Sequence, residues 1–122
     1  MAAQRRRRLS RSGEFDRVYR DGSSYATRYL VLYSFPRKTE EADEVRLGVS
    51  VSRKIGGAVD RNRVKRSLRE AFWSLSERLP ASHDFVLVAR PELGGLIERE
   101  GSTGVRASLE EALGAAAKGR ST

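Results

Sequence analysis

The stretch LGVSVSRKIGGAVDRNRVKRSLREAF, Leu47 to Phe72, changes its apolar period once, and that change decides the fold. Together with Val45, the residues Leu47, Val49 and Val51 face one way while Arg46, Gly48, Ser50 and Ser52 face the other, the two-residue period of a strand. One side of that strand suits a core, and the other is small and polar. From Asp60 onward Val64, Leu68, Ala71, Phe72, Leu75 and Leu79 recur at helical spacings and make a single apolar stripe. Gly56 and Gly57 stand between strand and helix, where a simple turn and the close backbone approach of a phosphate are both open readings. The stripe has to fasten the helix to the apolar side of a sheet.

Upstream, residues 1–11 hold Arg5, Arg6, Arg7, Arg8 and Arg11 with almost nothing to bury, and read as a flexible basic arm. SGEFDRVYRDG, Ser12 to Gly22, reads as a short helix: Ser12 caps it, Glu14 and Asp16 suit the positive end of its dipole, and Asp21-Gly22 ends it. Phe15, Val18 and Tyr19 share one face of it. From Tyr25 to Phe35 the sequence alternates as one strand, with Tyr29, Val31, Tyr33 and Phe35 on one side and Leu30 and Leu32 on the other. Pro36 and the acids Glu40, Glu41, Asp43 and Glu44 mark an exposed turn that lacks the ligand spacing of a cation site. Downstream, Phe85 to Ala89 is a continuous apolar run suited to a strand covered on both faces. Val105, Leu109, Ala112, Leu113 and Ala116 then repeat at helical spacing behind the caps Ser102 and Thr103. The expected order is α-β-β-α-β-α, in a single domain over residues 12–122.

The 122 residues carry 24 Lys and Arg against 16 Asp and Glu, and the net charge of +8 favours polyanions, nucleic acid ahead of an anionic membrane surface. No apolar run approaches the roughly 18 residues of a spanning helix, and the basic start lacks the apolar segment of a signal peptide, so an intracellular protein is expected. The absence of Cys removes disulfides, thiolate nucleophiles and Cys-type zinc sites, and a lone His83 removes multi-His sites. The positive charge is concentrated. Between Arg53 and Arg69, seven bases (Arg53, Lys54, Arg61, Arg63, Lys65, Arg66 and Arg69) meet one acid, Asp60, a density that costs stability unless a polyanion relieves it. Asn62, Arg66, Arg69 and Trp73 lie opposite the apolar stripe with Arg63 and Lys65 on its flanks, so this surface faces solvent. Arg63 and Arg66 offer planar forks to phosphate, and Asn62 sits near the helix start, where free N–H groups also favour anions.

A second constellation is aromatic: Phe15, Tyr19, Tyr29 and Tyr33. Rings on a sheet face bordered by positive charge hold the unstacked bases of single strands; rings also serve as plain core, the simpler reading for Phe15 alone. The Gly48, Ser50 and Ser52 side of the neighbouring strand favours an open floor beside the tyrosines. Trp73 suits either stacking on a partner or packing beneath the arm. No nucleophile motif and no spaced acidic or His cluster is present, so neither catalytic residues nor a metal site is expected in the protein itself.

The same residues carry a family signature. Leu47 to Phe72 resembles the central block of the bacterial ribonuclease P protein subunit, with Arg61-Asn62-Arg63 as its RNR motif. RLSRSGEFDRVYRDG (8–22), YLVLY (29–33) and DFVLVARP (84–91) resemble further segments in the right order, so the likeness spans residues 8–91. It implies an α+β fold, an α-β-β-α-β-α two-layer sandwich like that of an RNA-binding ribosomal protein, with a left-handed βαβ crossover where physics alone predicts a right-handed one. It implies a cytoplasmic ribonucleoprotein endonuclease that removes the 5′ leader from precursor tRNA, with hydrolysis performed by the catalytic RNA subunit and its Mg²⁺. The implied partners of the protein are that RNA and the single-stranded leader, with no membrane and no small-molecule substrate. By matching position, Phe15, Tyr19, Tyr33, Ser50 and Arg53 would line a leader cleft between the first helix and the sheet, with Tyr29 and Val31 as neighbours. Arg61, Asn62, Arg63, Lys65 and Arg66 would meet the catalytic RNA, with Arg8, Lys54 and Arg69 as further contacts. Two other classes compete: a ribosomal or general RNA-binding protein without enzymatic role, and a protein-only nuclease.

Overall fold

The computed structural model describes residues 5–9, 12–37 and 44–121, the side chains of Arg5–Arg7 and of 119–121 excepted. Residues 1–4, 10 and 11 of the expected arm, and 38–43 of the expected acidic turn, lie outside the described residues. The chain runs β1 (Arg5–Arg8), α1 (Ser12–Asp21), β2 (Ser23–Ala26), β3 (Leu30–Pro36), β4 (Glu44–Ser50), α2 (Ala58–Ser74), a 3-10 turn at Ser76–Arg78, β5 (His83–Ala89) and α3 (Leu93–Ser121). The strands form one mixed sheet in the order β1-β4-β5-β3-β2. β4 and β5 lie parallel and are joined through α2, so the opening stretch supplies the central βαβ unit. β3 pairs antiparallel with β5, and β2 antiparallel with β3.

Register sorts the sheet into two faces, because residues paired across strands point to the same side. Leu30, Leu32, Val45, Leu47, Phe85 and Leu87 share one face and are buried under α2 and α3, where they meet Leu68, Phe72, Leu93, Val105 and Leu109. The Phe72 and Phe85 rings pack edge to face at 5.3 Å. The opposite face carries Val31, Tyr33 and Phe35 of β3, Arg46, Gly48 and Ser50 of β4, and Asp84, Val86 and Val88 of β5. Among the described residues α1 is the helix that covers it: Val18 is fully buried there with Leu9 and Val86, and Phe15 packs at the margin. The two-layer sandwich thus carries an extra helix over part of its second face.

Three expectations are corrected. Arg5–Arg8, expected in a flexible arm, pair parallel with β4 from Arg5↔Glu44 to Arg8↔Leu47, and Leu9 is buried beneath α1 with its N–H donating to the Leu47 carbonyl at 2.9 Å. An edge strand is held by backbone hydrogen bonds, which side-chain patterning does not register. The single strand expected from Tyr25 to Phe35 is a hairpin that reverses at Thr27–Tyr29. The buried Thr27 Oγ1 accepts the N–H groups of Tyr29 and Leu30, both at 3.2 Å, and lies 2.7 Å from Ser108 Oγ on α3, so one hydroxyl satisfies the backbone that the turn frees. Finally, the last helix begins at Leu93 and not near Val105. It breaks at Gly101, whose φ of 61° and ψ of −148° are open only to glycine, and its first part reads LGGLIERE, where two glycines after Pro91 mimic a turn. Burial of Leu93 and Leu96 on the sheet overrides that weak local propensity.

Candidate nucleic-acid interface

The basic surface begins where β4 ends. Arg53 and Lys54 are exposed in the turn after Ser52, and the turn closes with Lys54 N–H donating to Ser52 Oγ at 3.2 Å. Gly57 caps α2 with extended backbone and no side-chain hydrogen bond, so the first N–H groups of α2 stay open to an anion. A side chain at Gly56 would come within 2.7 Å of the Asp60 carboxylate, which explains a glycine there. Asn62, Arg63 and Arg66 are exposed; Arg61, Lys65 and Arg69 are half-buried along the flanks of the helix, and the apolar stripe of Val64, Leu68, Ala71 and Phe72 is buried. Among the described residues none of Arg53, Lys54, Arg61, Arg63, Lys65, Arg66 and Arg69 forms an ion pair, whereas Arg17, Arg20, Arg28, Arg37, Arg46, Arg78 and Arg106 all do. Arg61 Nε is buried without a hydrogen-bond partner. Arg8, exposed on β1, stands near Arg69; burial, and then the charge of Arg8, hold the Arg69 guanidinium below its ordinary value. The fold therefore gathers like charges that a phosphate backbone would relieve.

On the other face, the rings converge as expected, with one exception. Phe15 and Tyr19, on one side of α1, have centroids 6.3 Å apart, and Tyr19 meets Tyr33 of β3 edge to face at 4.9 Å. Phe15 lies directly over Gly48: a Cβ there would fall 2.5 Å from Phe15 Cζ, so the bare strand lets the ring sit on the sheet. Ser50 of β4 and Val31 of β3 flank Val88 of β5 on this same face, all half-buried, and Arg53 follows at the rim. Tyr19 is 39% exposed, enough for a ring face to meet a ligand. Burial pushes its phenol above the ordinary value, opposed in part by a hydrogen bond from Ser50, while Tyr33 and Asp16 add to the rise. A neutral phenol at physiological pH adds no charge of its own to repel phosphate. The result is a shallow aromatic cleft between α1 and the sheet.

Tyr29, expected in that cleft, is not part of it. The turn at Thr27 takes it out of the alternation of β3, and its ring packs against the core cluster on the opposite face beside Arg28 and Arg99. Trp73 packs edge to face on Phe72, 4.9 Å away, at the margin of the core. His83 opens β5 and stacks on Phe85 at 5.7 Å.

Sequence reading missed the group that seats α1. Asp84, fully buried on the cleft face, accepts Arg37 Nη1 and Arg46 Nε at 2.6 Å on Oδ1, and Arg46 Nη2 at 2.8 Å and Arg17 Nη2 at 3.1 Å on Oδ2. Arg46 also donates to Glu14 at 3.1 Å. Arg17 in turn lies over the Phe35 ring at 4.8 Å. Glu14 and Arg17 flank Phe15 in the chain, so this network sets where the cleft wall stands. Its only sequence signal is an Asp directly before the apolar run Phe85 to Ala89.

A helix surface whose described cations form no ion pair, together with an aromatic cleft on a mixed sheet, defines an RNA-binding α+β protein. The family model described as Ribonuclease P matches residues 3–116. The chain belongs to that family. It is 42% identical over 106 residues to the ribonuclease P protein component of Shouchella clausii, covering 87% of this chain and 82% of that one. It is also similar to the solved RNase P proteins of Staphylococcus aureus (33% identity, TM-score 0.76, 95% and 96% of the two chains covered) and Thermotoga maritima (32% identity, TM-score 0.76, 87% and 94% covered).

Proposed function

We propose that this chain acts as the protein subunit of ribonuclease P, gripping the catalytic RNA through α2 and the 5′ leader of precursor tRNA through the α1 cleft. The observation that carries this reading is the run of unpaired bases on α2, joined through the short segment Ser50–Gly57 to the cleft floor on the other face. In this division of labour Arg61, Asn62, Arg63, Lys65, Arg66 and Arg69, with Arg8 and Lys54, meet phosphates of the catalytic RNA. Phe15, Tyr19, Tyr33, Val31, Ser50 and Arg53 receive the leader, its bases on the rings and its backbone beside Arg53.

The protein is assigned no hydrolytic group. Of the carboxylates described at the cleft, Asp84 and Glu14 are engaged by arginines, and no group of three or more His, Asp or Glu that could hold a metal forms among the described residues. The donor set fits phosphate, so the hydrolytic Mg²⁺ is assigned to the RNA subunit and substrate. The protein contributes positive charge that lowers RNA–RNA repulsion, and a fixed seat for the leader. The expected setting is the cytoplasm; no described helix is long and apolar enough to cross a membrane.

The test is reconstitution at low Mg²⁺: purified protein added to catalytic RNA and precursor tRNA should restore cleavage at the correct 5′ site. A general RNA-binding protein would not restore it, and a protein-only nuclease would cleave without the RNA subunit. Arg63→Ala should weaken binding to the catalytic RNA and reduce the slope of log affinity against log salt by about one. Titration of the RNA at several salt concentrations measures it.

A further inference from the structure

Between α2 and the first part of α3 lies a pocket of about 140 Å³. Two triples at helical spacings of three and four frame it, Asp60, Arg63 and Val64 on α2 and Gly94, Ile97 and Glu98 on α3. Ile55, in the turn before α2, completes the wall. Val64 is buried, and Ile55 and Ile97 are half-buried against the core, so the walls are apolar. Asp60, Arg63 and Glu98 are exposed, and among the described residues no ion pair engages any of them. Gly94 leaves its part of the wall bare. A Cβ there would meet nothing within 4 Å, so packing does not demand a glycine, although glycine is a poor helix former.

The lining selects its occupant. Two carboxylates repel a phosphate, two carboxylates beside a guanidinium give a metal ion too few oxygen ligands, and apolar walls suit a flat ring. A neutral heterocycle with donors on one edge and acceptors on the next satisfies the whole set. Among the four RNA bases guanine has that pattern. Its N1–H and N2 amino group present two donors side by side to the two oxygens of one carboxylate, and its O6 and N7 accept the fork of an arginine. A cavity of about 150 Å³ holds one six-membered aromatic ring, so that ring of the base enters and the five-membered ring, with N7, stays outside beside Arg63. Two neighbouring features extend the fit to a whole nucleotide. The open N–H groups at the start of α2, with Arg53 and Lys54 in the turn before it, suit the phosphate. Val59, four residues before Arg63 on the same side of α2, is 76% exposed; a ribose would cover it and a phosphate would not.

Building on the proposed contact between α2 and the catalytic RNA, we propose that this pocket receives one unpaired guanine of that RNA. Glu98 accepts from its N1–H and N2–H, and Arg63 donates to its O6 and N7. Asp60, whose carboxylate stands against Gly56, keeps phosphate out of the slot. The basic surface then reads one base as well as holding phosphates.

The experiment uses the protein bound to its catalytic RNA and probes the N1–N2 edge of each unpaired guanine with kethoxal. One guanine should react in the free RNA, be protected in the wild-type complex, and react again in complexes saturated with Glu98→Gln or Gly94→Leu. Glu98→Gln should also weaken RNA binding about tenfold at constant salt, the loss of one bidentate base contact. The sign is diagnostic, because removing an acid that merely stands near RNA lowers repulsion and tightens binding. Gly94→Leu puts a better helix former into open space, so its melting temperature should stay level or rise while the guanine is exposed. The inference is overturned if no guanine is protected, if Glu98→Gln keeps the protection, or if Glu98→Gln binds as tightly as wild type or more tightly. It is overturned as well if GMP, at the concentration of the RNA, displaces the protected guanine, which would assign the pocket to a free nucleotide. All of these outcomes leave wild-type RNA binding and restored cleavage intact; loss of either in the wild-type protein would instead sink the reading of the α2 surface on which the pocket depends.

Discussion

Asp84→Asn is expected to destabilise the protein by about 3–5 kcal/mol, the usual cost of removing one partner from a buried ion cluster. Asp84 has no exposed surface and receives four hydrogen bonds from three arginines, of which Arg37 and Arg46 are themselves largely buried. An amide has one acceptor oxygen and turns a donor toward a guanidinium, so the substitution removes charge and acceptors together. Glu14 would remain as a carboxylate partner of Arg46. The network joins β5, β4, the end of β3 and α1, so its loss should free α1 from the sheet before the core under α2 and α3 opens. Urea unfolding monitored by circular dichroism measures the effect, and an unfolding free energy within about 0.5 kcal/mol of wild type would show that the cluster contributes little. Replacing the whole set by apolar residues of similar volume should cost less than removing Asp84 alone, since no charge is then left unpaired.

Tyr33→Ala should cost about 1–3 kcal/mol of affinity for precursor tRNA and leave leaderless tRNA binding unchanged. Tyr33 supplies a ring to the cleft and braces Tyr19 edge to face, so its truncation removes one stacking surface and loosens a second. Tyr33→Phe keeps both rings and should lose little. The comparison of affinities for the two tRNAs is the measurement. An equal loss for both would remove Tyr33 from the leader site.

How much of this was readable from the chain follows from the range of the signals involved. The α2 stripe and the alternation of β4 are local periods, and both elements form within them, although α2 ends at Ser74, so that Leu75 and Leu79 reach the core from the turn that follows it. The basic surface was legible for the same reason: a helix whose apolar side is known has its other side fixed. The residues themselves suggested an aromatic constellation of Phe15, Tyr19, Tyr29 and Tyr33, whereas a cleft between α1 and the sheet came from family likeness, because local pattern does not say where a helix docks. Tyr29 was misplaced because alternation continues through a turn that Thr27 stabilises with a hydroxyl, a device with no periodic trace. The Asp84 cluster joins residues separated by up to 70 positions, and charges so far apart in sequence announce nothing until a sheet brings them together. Arg5–Arg8 taught the converse: a strand of four arginines carries no apolar pattern, yet its backbone completes the sheet.

The placement of α2 and α1 on opposite faces of one sheet has a consequence for two polyanions that must be held at once. A layer of sheet with its packed side chains is about 10 Å thick, which is about one Debye length at physiological ionic strength. Under the proposed division of labour, phosphates at α2 and phosphates at the cleft would lie on opposite sides of the sheet, each beside positive charge of the protein and separated by at least the thickness of that layer. Two strands that repel one another in open solution could then occupy the same small protein together, with surrounding salt weakening the repulsion that remains around its edges.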